Sequence, residues 1–595
     1  MPKLYIRNIP SRLPHCPSPV ICTMRFKSTR SSDPNTPTIS FEAAVFQGLA
    51  PDGGLYIPDT IPQLSLHQIL AWQHNSFPEV AFNILSLYIA PEEIPPPDLR
   101  AILRKSFSSF SHPDVVPLVK LPPIAHPNLD EDERMYALEL FHGPTFAFKD
   151  VALQVLGNLF EYFLLRKTSR CSTSGKKSPP HITVLGATSG DTGGAAIYGL
   201  RGKANVQLII LHPHNRVSPI QELQMTTVQD ANVHNIAVQG TFDDCQEIVK
   251  NILGDVHFKD KHHLAAINSI NIARILAQII YYFTSYLSLL KHMGISLDPC
   301  GNIPSGQKLP RVQFSVPTGN FGDILAGYYA LRMGLPIHRL IIATNENDIL
   351  TRFFESGTYA RLIPNQPTAS SQVRQTLSPA MDILVSSNFE RLLYYLARGD
   401  AASSVTTASP SAAQDSAAAR TVADWMSQLK HHGSFSASAD VLELAKKTFH
   451  AVRASNSQTA DIMNMYYNCQ HVPYLLDPHS AVGVHAAWAI KAADNSDAHR
   501  HDEVYTICLA PAHPGKFPET VEEAINGRGT GKKAYFDDFA PKPLKHLRGL
   551  EKRMVVIKTG GLGHIAVSKG TLQVRAIVEK VAMSQPLQSF ATSSI

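Results

Sequence analysis

The stretch Glu139-Leu-Phe-His-Gly-Pro-Thr-Phe-Ala-Phe-Lys149-Asp150 ends in a lysine at the edge of a helical apolar pattern. That pattern is Val151, Leu153, Val155, Leu156, Leu159, Phe160, Phe163 and Leu164. Asp150 stands where a helix N-terminus favours negative charge. Phe146 and Phe148 precede the lysine. An amine among apolar neighbours loses solvation of its charged form, and its pKa falls. Such an amine can form a Schiff base with an aldehyde cofactor. A plainer reading of the same spacing is a lysine that snorkels from a helix start and does no chemistry.

Two later stretches bear on that choice. Val184-Leu-Gly186-Ala-Thr-Ser189-Gly190-Asp191-Thr192-Gly193-Gly194 and Val316-Pro-Thr-Gly319-Asn320-Phe321-Gly322-Asp323 each follow a short apolar strand and precede a helical run. Glycines in that context let backbone N–H groups converge on an anion at a helix N-terminus. The alternative for the second loop is a strand-to-helix turn that binds nothing.

With these motifs go Asn268-Ser-Ile-Asn271, Ala343-Thr-Asn-Glu-Asn-Asp348, Thr376-Leu-Ser-Pro-Ala-Met-Asp382 and Asp477-Pro-His-Ser-Ala-Val-Gly483. In their content and order the chain resembles the fungal-type threonine synthases, pyridoxal-phosphate (PLP) enzymes of fold type II, the tryptophan synthase beta-like group. The resemblance runs from about residue 29 to about 550. It implies an α/β fold of two parallel-sheet, three-layer lobes with a small helical N-terminal domain.

The resemblance also implies roles. Lys149 would carry the cofactor and act as the catalytic base. Gly319, Asn320, Phe321, Gly322 and Asp323 would cradle its phosphate, with the Asp323 side chain turned away as a cap. Thr188, Ser189, Gly190, Asp191 and Thr192 would grip the substrate carboxylate, with Asp191 orienting the loop or capping a helix that begins near Ala195. Asn268, Ser269 and Asn271 would line the site; the plainer reading is a turn into the next helix. Arg274 is the first candidate for the substrate phosphate, followed by Arg201 and Lys203, and each would serve equally as a solvated charge or a carboxylate's partner.

The implied reaction is a carbon–oxygen lyase reaction, O-phospho-L-homoserine and water giving L-threonine and phosphate. Two positions depart from the family. Pro511 in Cys508-Leu-Ala-Pro511-Ala-His-Pro-Gly-Lys516 replaces a threonine whose hydroxyl would meet the pyridine nitrogen, and Ile272 replaces an aromatic. These departures admit two alternatives: an elimination or replacement enzyme for a related homoserine ester, or a homologue without activity.

The elements that must position these groups are legible as patterns. Ile182–Leu185, Val206–Leu211, Asn235–Val238, Arg311–Val316 and Leu340–Ala343 read as short buried strands between helices, the signature of a parallel sheet covered on both faces. Ligands in such sheets sit beyond the carboxyl ends of the strands, where both glycine loops fall. Four regions are expected: a basic, disordered extension over 1–32, a small helical domain over 33–112, the catalytic lobes over 113–515, and a helical segment with tail over 516–595. Surface insertions are expected near 168–180, 299–310 and 401–419, the last Ala- and Ser-rich. Lys558-Thr-Gly-Gly-Leu-Gly563 lacks an evident strand–loop–helix context and reads as a turn.

Composition narrows the classes. With 595 residues, 44% hydrophobic and 17% charged, the chain fits a globular protein of several domains. A net charge of +5 without a basic run interleaved with aromatics argues against nucleic acid as partner. The seven cysteines are scattered without a Cys-x-x-Cys pair, which argues against a disulfide framework and for a reducing compartment. Residues 1–32 are basic and acid-free up to Ser32, as in a mitochondrial leader, but Pro10, Pro14, Pro17 and Pro19 forbid a long amphipathic helix; the cytoplasm is the expected location. The apolar run Ile275–Leu290 reads as a buried helix, too short and too often interrupted by polar residues for a bilayer span. His212-Pro-His214, His262-His263 and His431-His432 lack a third ligand at metal spacing, so no metal is expected. The expected partner is a small amino-acid phosphate ester, and the choice between monomer and homodimer stays open.

Overall fold

The computed structural model describes residues 24–124, 134–172, 180–295, 303, 307–361, 373–399, 411–496, 504–527, 531–559 and 564–583. Its frame is a pair of sheets. The larger has six strands in the order Phe449–Arg453, Ile337–Thr344, Arg311–Pro317, Val504–Ala510, Met135–Glu139, Leu118–Lys120. All its pairings are parallel except the last. The smaller has five parallel strands, Val555–Ile557, Val233–Val238, Val206–Pro213, Ile182–Ala187 and Leu264–Ala266. Val184, Leu185, Leu208, Ile209, Ile210 and Leu211 are all buried, because helices cover both faces. Each expected strand is present, some with an added residue or more at an end.

Two helices bring the site together. Lys149–Ser172 and Asp191–Leu200 cross where each carries a glycine. A Cβ on Gly157 would lie 1.9 Å from the Gly199 carbonyl oxygen, and one on Gly199 would lie 2.5 Å from that of Leu153. Only glycine permits this approach. It sets the first residues of the two helices, Lys149 and Asp191, beside one another. The helix Ile272–His292, longer than the apolar run that announced it, crosses the core. It is long and apolar enough to span a membrane, but 89% of its apolar window is buried inside the protein.

Several expected boundaries move. Residues 1–23 of the expected extension lie outside the described residues, whereas 24–32 are described and join the fold. Phe26–Ser28 pairs antiparallel with Tyr56–Pro58, and Phe26 packs against Phe41. Two of the basic residues that suggested a leader are paired, Lys27 with Asp415 at 2.6 Å and Arg30 with Glu390 at 2.7 Å. The expected insertion at 168–180 begins inside the helix Lys149–Ser172, and 173–179 lie outside the described residues. Of the expected insertion at 401–419, residues up to 410 lie outside. Residues from 412 onward form the helix Ala412–His432, because alanine is the best helix former and Ser411 with Gln414 closes a capping box. Most of 299–310 also lies outside the described residues. The C-terminal segment is not only helical. Val555–Ile557 completes the smaller sheet and the helix His564–Met583 follows, so a strand precedes 558–563 and a helix comes after it. Three residues were too few to read as a strand; residues 560–563 are not described.

Candidate active site

A cavity of about 930 Å³ opens at the carboxyl ends of both sheets, with Lys149, Ser189, Asp191, Asn268, Arg274 and Asp323 among its walls. Lys149 is the first residue of its helix. The turn before it is fixed from within, as Asp150 accepts from the Thr145 N–H at 2.8 Å and hydroxyl at 2.7 Å. It is fixed from the larger sheet too, where the Phe148 N–H donates to the Pro511 carbonyl at 2.7 Å. Asp150 therefore braces the loop rather than merely facing a helix end; burial pushes its carboxyl up to about 6.

The Lys149 ammonium lies 3.4 Å from an Asp191 carboxylate oxygen and 4.7 Å from the centre of the Phe148 ring. Burial is the largest influence on it and lowers its pKa. Asp191 opposes that, and Lys516 and Arg274 reinforce it. Burial would raise the Asp191 carboxyl, but Lys516 and Lys149 hold it well below the usual carboxylate range. The two shifts are compatible because one carboxylate is shared by two lysines.

Asp191 thus does more than orient its loop, as the sequence suggested, and its helix starts at Asp191 rather than near Ala195. Thr188 shapes the loop. Its hydroxyl accepts from the N–H groups of Gly190 and Gly193, each at 2.9 Å. The N–H groups of Ser189, Asp191 and Thr192 have no acceptor among the described residues. These three residues and Thr188 face the cavity, whereas Gly190 does not.

In the second loop the carbonyls are tied back. Gly319 O accepts from the Ser386 hydroxyl at 2.6 Å, and Asn320 O accepts from the Asn388 side chain at 2.9 Å and backbone at 3.0 Å. The N–H groups of 319–323 find no acceptor among the described residues, and they precede or open the helix Gly322–Arg332. A Cβ on Gly319 would sit 3.1 Å from the Met381 Cα, so the cradle is narrow. Asp323 does turn away, its Oδ1 accepting from Tyr281 at 2.6 Å and Tyr282 at 3.0 Å. Burial pushes its carboxyl up to about 6.

The Arg274 guanidinium is buried and lines the cavity. It donates to the Asn268 carbonyl at 2.5 Å, no carboxylate pairs with it among the described residues, and its Nε has no partner. Burial lowers its pKa to about 10. Asn268 and Ser269 line the cavity. Asn271 does not: it caps the helix Ile272–His292 and donates to the Val45 carbonyl. Arg201 and Lys203 are elsewhere, Arg201 with Asp230 at 2.6 Å and Lys203 with Glu161 at 3.4 Å. Both are thus corrected to ion-pair residues.

Sequence reasoning missed Ser386, Asn388, Gln221, Gln224 and Lys516. The polar run before the helix Phe389–Ala397 was the only signal for the first two. His479 was read as structural. Its Nε2 accepts from the Ala380 N–H at 3.1 Å and its Nδ1 meets Asp477 at 2.8 Å, which pins one cavity wall. Among the described residues no group of histidines, cysteines and acids could hold a metal ion.

An amine of depressed pKa, two rows of unbonded N–H groups and an uncompensated guanidinium suit an aldehyde that carries a phosphate, together with an anionic substrate. Pro511 lines the same cavity and presents only a pyrrolidine ring. Two lobes and a lysine between them, with N–H rows at the strand ends, define a PLP-dependent enzyme. The family model "Pyridoxal-phosphate dependent enzyme" matches residues 111–406.

The models "Threonine synthase N terminus" and "Threonine synthase, C-terminal" match 25–107 and 480–565. Threonine synthase of Saccharomyces cerevisiae is 48% identical over 90% of this chain and 95% of its own. That of Schizosaccharomyces pombe is 49% identical over 84% and 89%. The crystal structure of the yeast enzyme superposes with a TM-score of 0.79 at 44% identity, covering 95% of this chain and 99% of that one. PLP-bound threonine synthase from Brucella melitensis gives 0.74 at 37% identity, over 94% and 100%. The chain belongs to the threonine synthase family.

Proposed function

We propose that the chain is a PLP-dependent lyase that converts O-phospho-L-homoserine and water to L-threonine and phosphate, a step of threonine biosynthesis. The observation that carries this reading is the Lys149 amine, set between two rows of free N–H groups with the buried Arg274 on the same cavity. The cradle at 319–323 would hold the cofactor phosphate, and the N–H groups of Ser189, Asp191 and Thr192 the substrate carboxylate. Arg274, lacking a protein carboxylate, is suited to the substrate phosphate. Lys149 needs its nitrogen lone pair to take the proton from the substrate α carbon, and burial favours that neutral form. When bound, PLP supplies the electron sink for the carbanion that this proton transfer leaves. Pro511 leaves cofactor binding intact, since one neutral hydrogen bond is worth only about 1 kcal/mol. A related ester as substrate, or a homologue without activity, is not favoured by these features.

The test is to incubate purified protein with PLP and O-phosphohomoserine and to measure both products. Equal amounts of phosphate and threonine are expected. Phosphate without threonine, or turnover only of an O-acyl ester, would overturn the assignment. Arg274→Gln should raise KM for the phosphate ester by about 10- to 100-fold, the worth of a charged hydrogen bond, with a smaller effect on kcat. For location we carry the cytoplasm as our reading, supported by Cys245, Cys469 and Cys508, none of which forms a disulfide among the described residues. A carboxyl-terminal fluorescent fusion found in mitochondria would overturn it.

A further inference from the structure

Lys516 is fully buried, and the cavity walls do not include it. It closes the short turn Pro514–Lys516 behind the lysine loop. Its ammonium donates to the Thr145 carbonyl at 2.8 Å and the Gln224 side-chain oxygen at 2.6 Å, and lies 3.2 Å from Asp191 Oδ1. Two of its three N–H bonds are thus engaged in short hydrogen bonds, beside the ion pair with Asp191. Lys149 has one acceptor, the other Asp191 oxygen, at 3.4 Å. Gln221 also donates to Asp191 Oδ1, at 2.9 Å. Asp191 therefore meets one ammonium that two short hydrogen bonds hold outside the cavity wall, and a second whose one hydrogen bond among the described residues is the long one to Asp191 itself.

One carboxylate cannot fully compensate two buried ammonium groups. The amine with fewer and longer hydrogen bonds is the one that deprotonates, and that amine is Lys149. The other groups that act on the pair point the same way or are distant in effect. Arg274 disfavours charge on Lys149. Asp323, the other carboxyl that senses Lys149, is engaged by two tyrosines.

We propose that Lys516 is a positioning residue for the amine of Lys149: it holds Asp191 from outside the cavity wall and takes a share of the carboxylate that would otherwise stabilise the charged form of Lys149. The inference rests on the reading of Lys149 as the reactive amine. It assigns Lys516 no contact with substrate or cofactor.

The test reads the Lys149 amine directly. Full-length protein freed of PLP is reductively methylated with formaldehyde and an amine borane across a pH series, and methylation is quantified on the Lys149 peptide by mass spectrometry. Only the free amine reacts, so the midpoint of the profile reports its protonation. In Lys516→Met the carboxylate serves Lys149 alone. The midpoint should rise by about one unit, and Lys149 should methylate about tenfold more slowly on the acid side of the profile. Lys516→Arg, which keeps the charge, should stay near the wild-type midpoint. A Lys516→Met protein with native circular dichroism and an unmoved midpoint overturns the proposal.

If Lys516→Met does not fold, Lys516→Gln takes its place, which removes the charge but keeps N–H donors for Thr145 and Gln224. Its midpoint should again lie above that of the wild type, and an unmoved midpoint in a folded Lys516→Gln protein overturns the proposal. Adding PLP to wild-type protein separates the two claims. Failure to develop the yellow absorption of lysine-bound PLP would refute the functional reading, whatever the methylation profiles show.

Discussion

In the smaller sheet, Ile182–Ala187 runs through Thr188, Ser189 and Gly190 into a helix whose first residue is Asp191. In the larger, Arg311–Pro317 runs through Thr318, Gly319, Asn320 and Phe321 into a helix whose second residue is Asp323. Both turns leave backbone N–H groups free, and both put a carboxylate in the first helical turn. There the likeness stops. Asp191 faces two ammonium groups and stays ionised, whereas Asp323 is turned onto two tyrosines and drifts toward neutrality. The left-handed residue of the first turn is Gly190, with φ at 145°; that of the second is Phe321, with φ at 61°. Under the proposed function, the difference shows how one backbone plan would serve two anions. A site that would also tune an amine keeps its carboxylate beside that amine, and a site that would only cradle a phosphate ties its carboxylate to other side chains.

The largest expected effect lies on the amine the two turns share. Lys149→Ala should lower kcat/KM by at least about 10³-fold and abolish the yellow absorption with PLP, read by steady-state kinetics and spectrophotometry. A smaller loss would mean that the two turns do not serve one reactive group.

Next comes the second turn. Phe321 is buried against Phe389, at 5.1 Å between ring centres, and that packing offsets its left-handed backbone. Phe321→Ala should cost about 3–5 kcal/mol in denaturant unfolding. Gly190→Ala, in the first turn, should cost about 1–3 kcal/mol. Its new Cβ would lie 2.0 Å from the Gln221 side-chain oxygen, which must move. Gln221 also holds Asp191, so the loss should come with weaker substrate binding, a signature that Phe321→Ala would lack.

The smallest effect is a pH dependence. Asp323 has a folded pKa raised to about 6 from the ordinary 3.8, so its contribution to stability is fully present below pH 4 and lost as pH rises through 6. Asp191, lowered instead, contributes above about pH 4 and loses that contribution as pH falls further. Asp323→Asn keeps an acceptor for the tyrosines and removes the titration. The Tm difference between variant and wild type should shift in the variant's favour from pH 4 to pH 7, by an amount equivalent to about 1–3 kcal/mol. A difference that is flat with pH would place Asp323 in the same class as Asp191.

The frame was legible because local pattern encodes it, whereas the spacing around Lys149 alone left a snorkelling lysine the plainer reading, and its assigned role came from the resemblance carried by several motifs together. Apolar runs such as Val206–Leu211 are what buried parallel strands require, and a glycine-rich turn between strand and helix announces itself by spacing. Contacts between distant segments were not legible. Nothing near Lys516 says that its ammonium reaches Thr145 and Asp191, and nothing near Asn388 says that it restrains Asn320. Arg274 carried a weak local signal and faces the cavity, while Arg201 and Lys203, with similar signals, turned to carboxylates that the fold supplied. The alanine-rich stretch after residue 411 misled because low complexity and high helix propensity look alike in composition.

The outermost strand of the smaller sheet, Val555–Ile557, pairs with Val233–Val238, a strand far earlier in the sequence. A ribosome delivers Lys149 and both glycine-bearing turns long before it delivers that strand. The nascent protein therefore waits with the flank of Val233–Val238 bare and ready to pair with any passing chain. Manufacture, more than turnover, is where this architecture is exposed, and shortening the gene at its 3′ end should yield aggregates rather than a weaker enzyme.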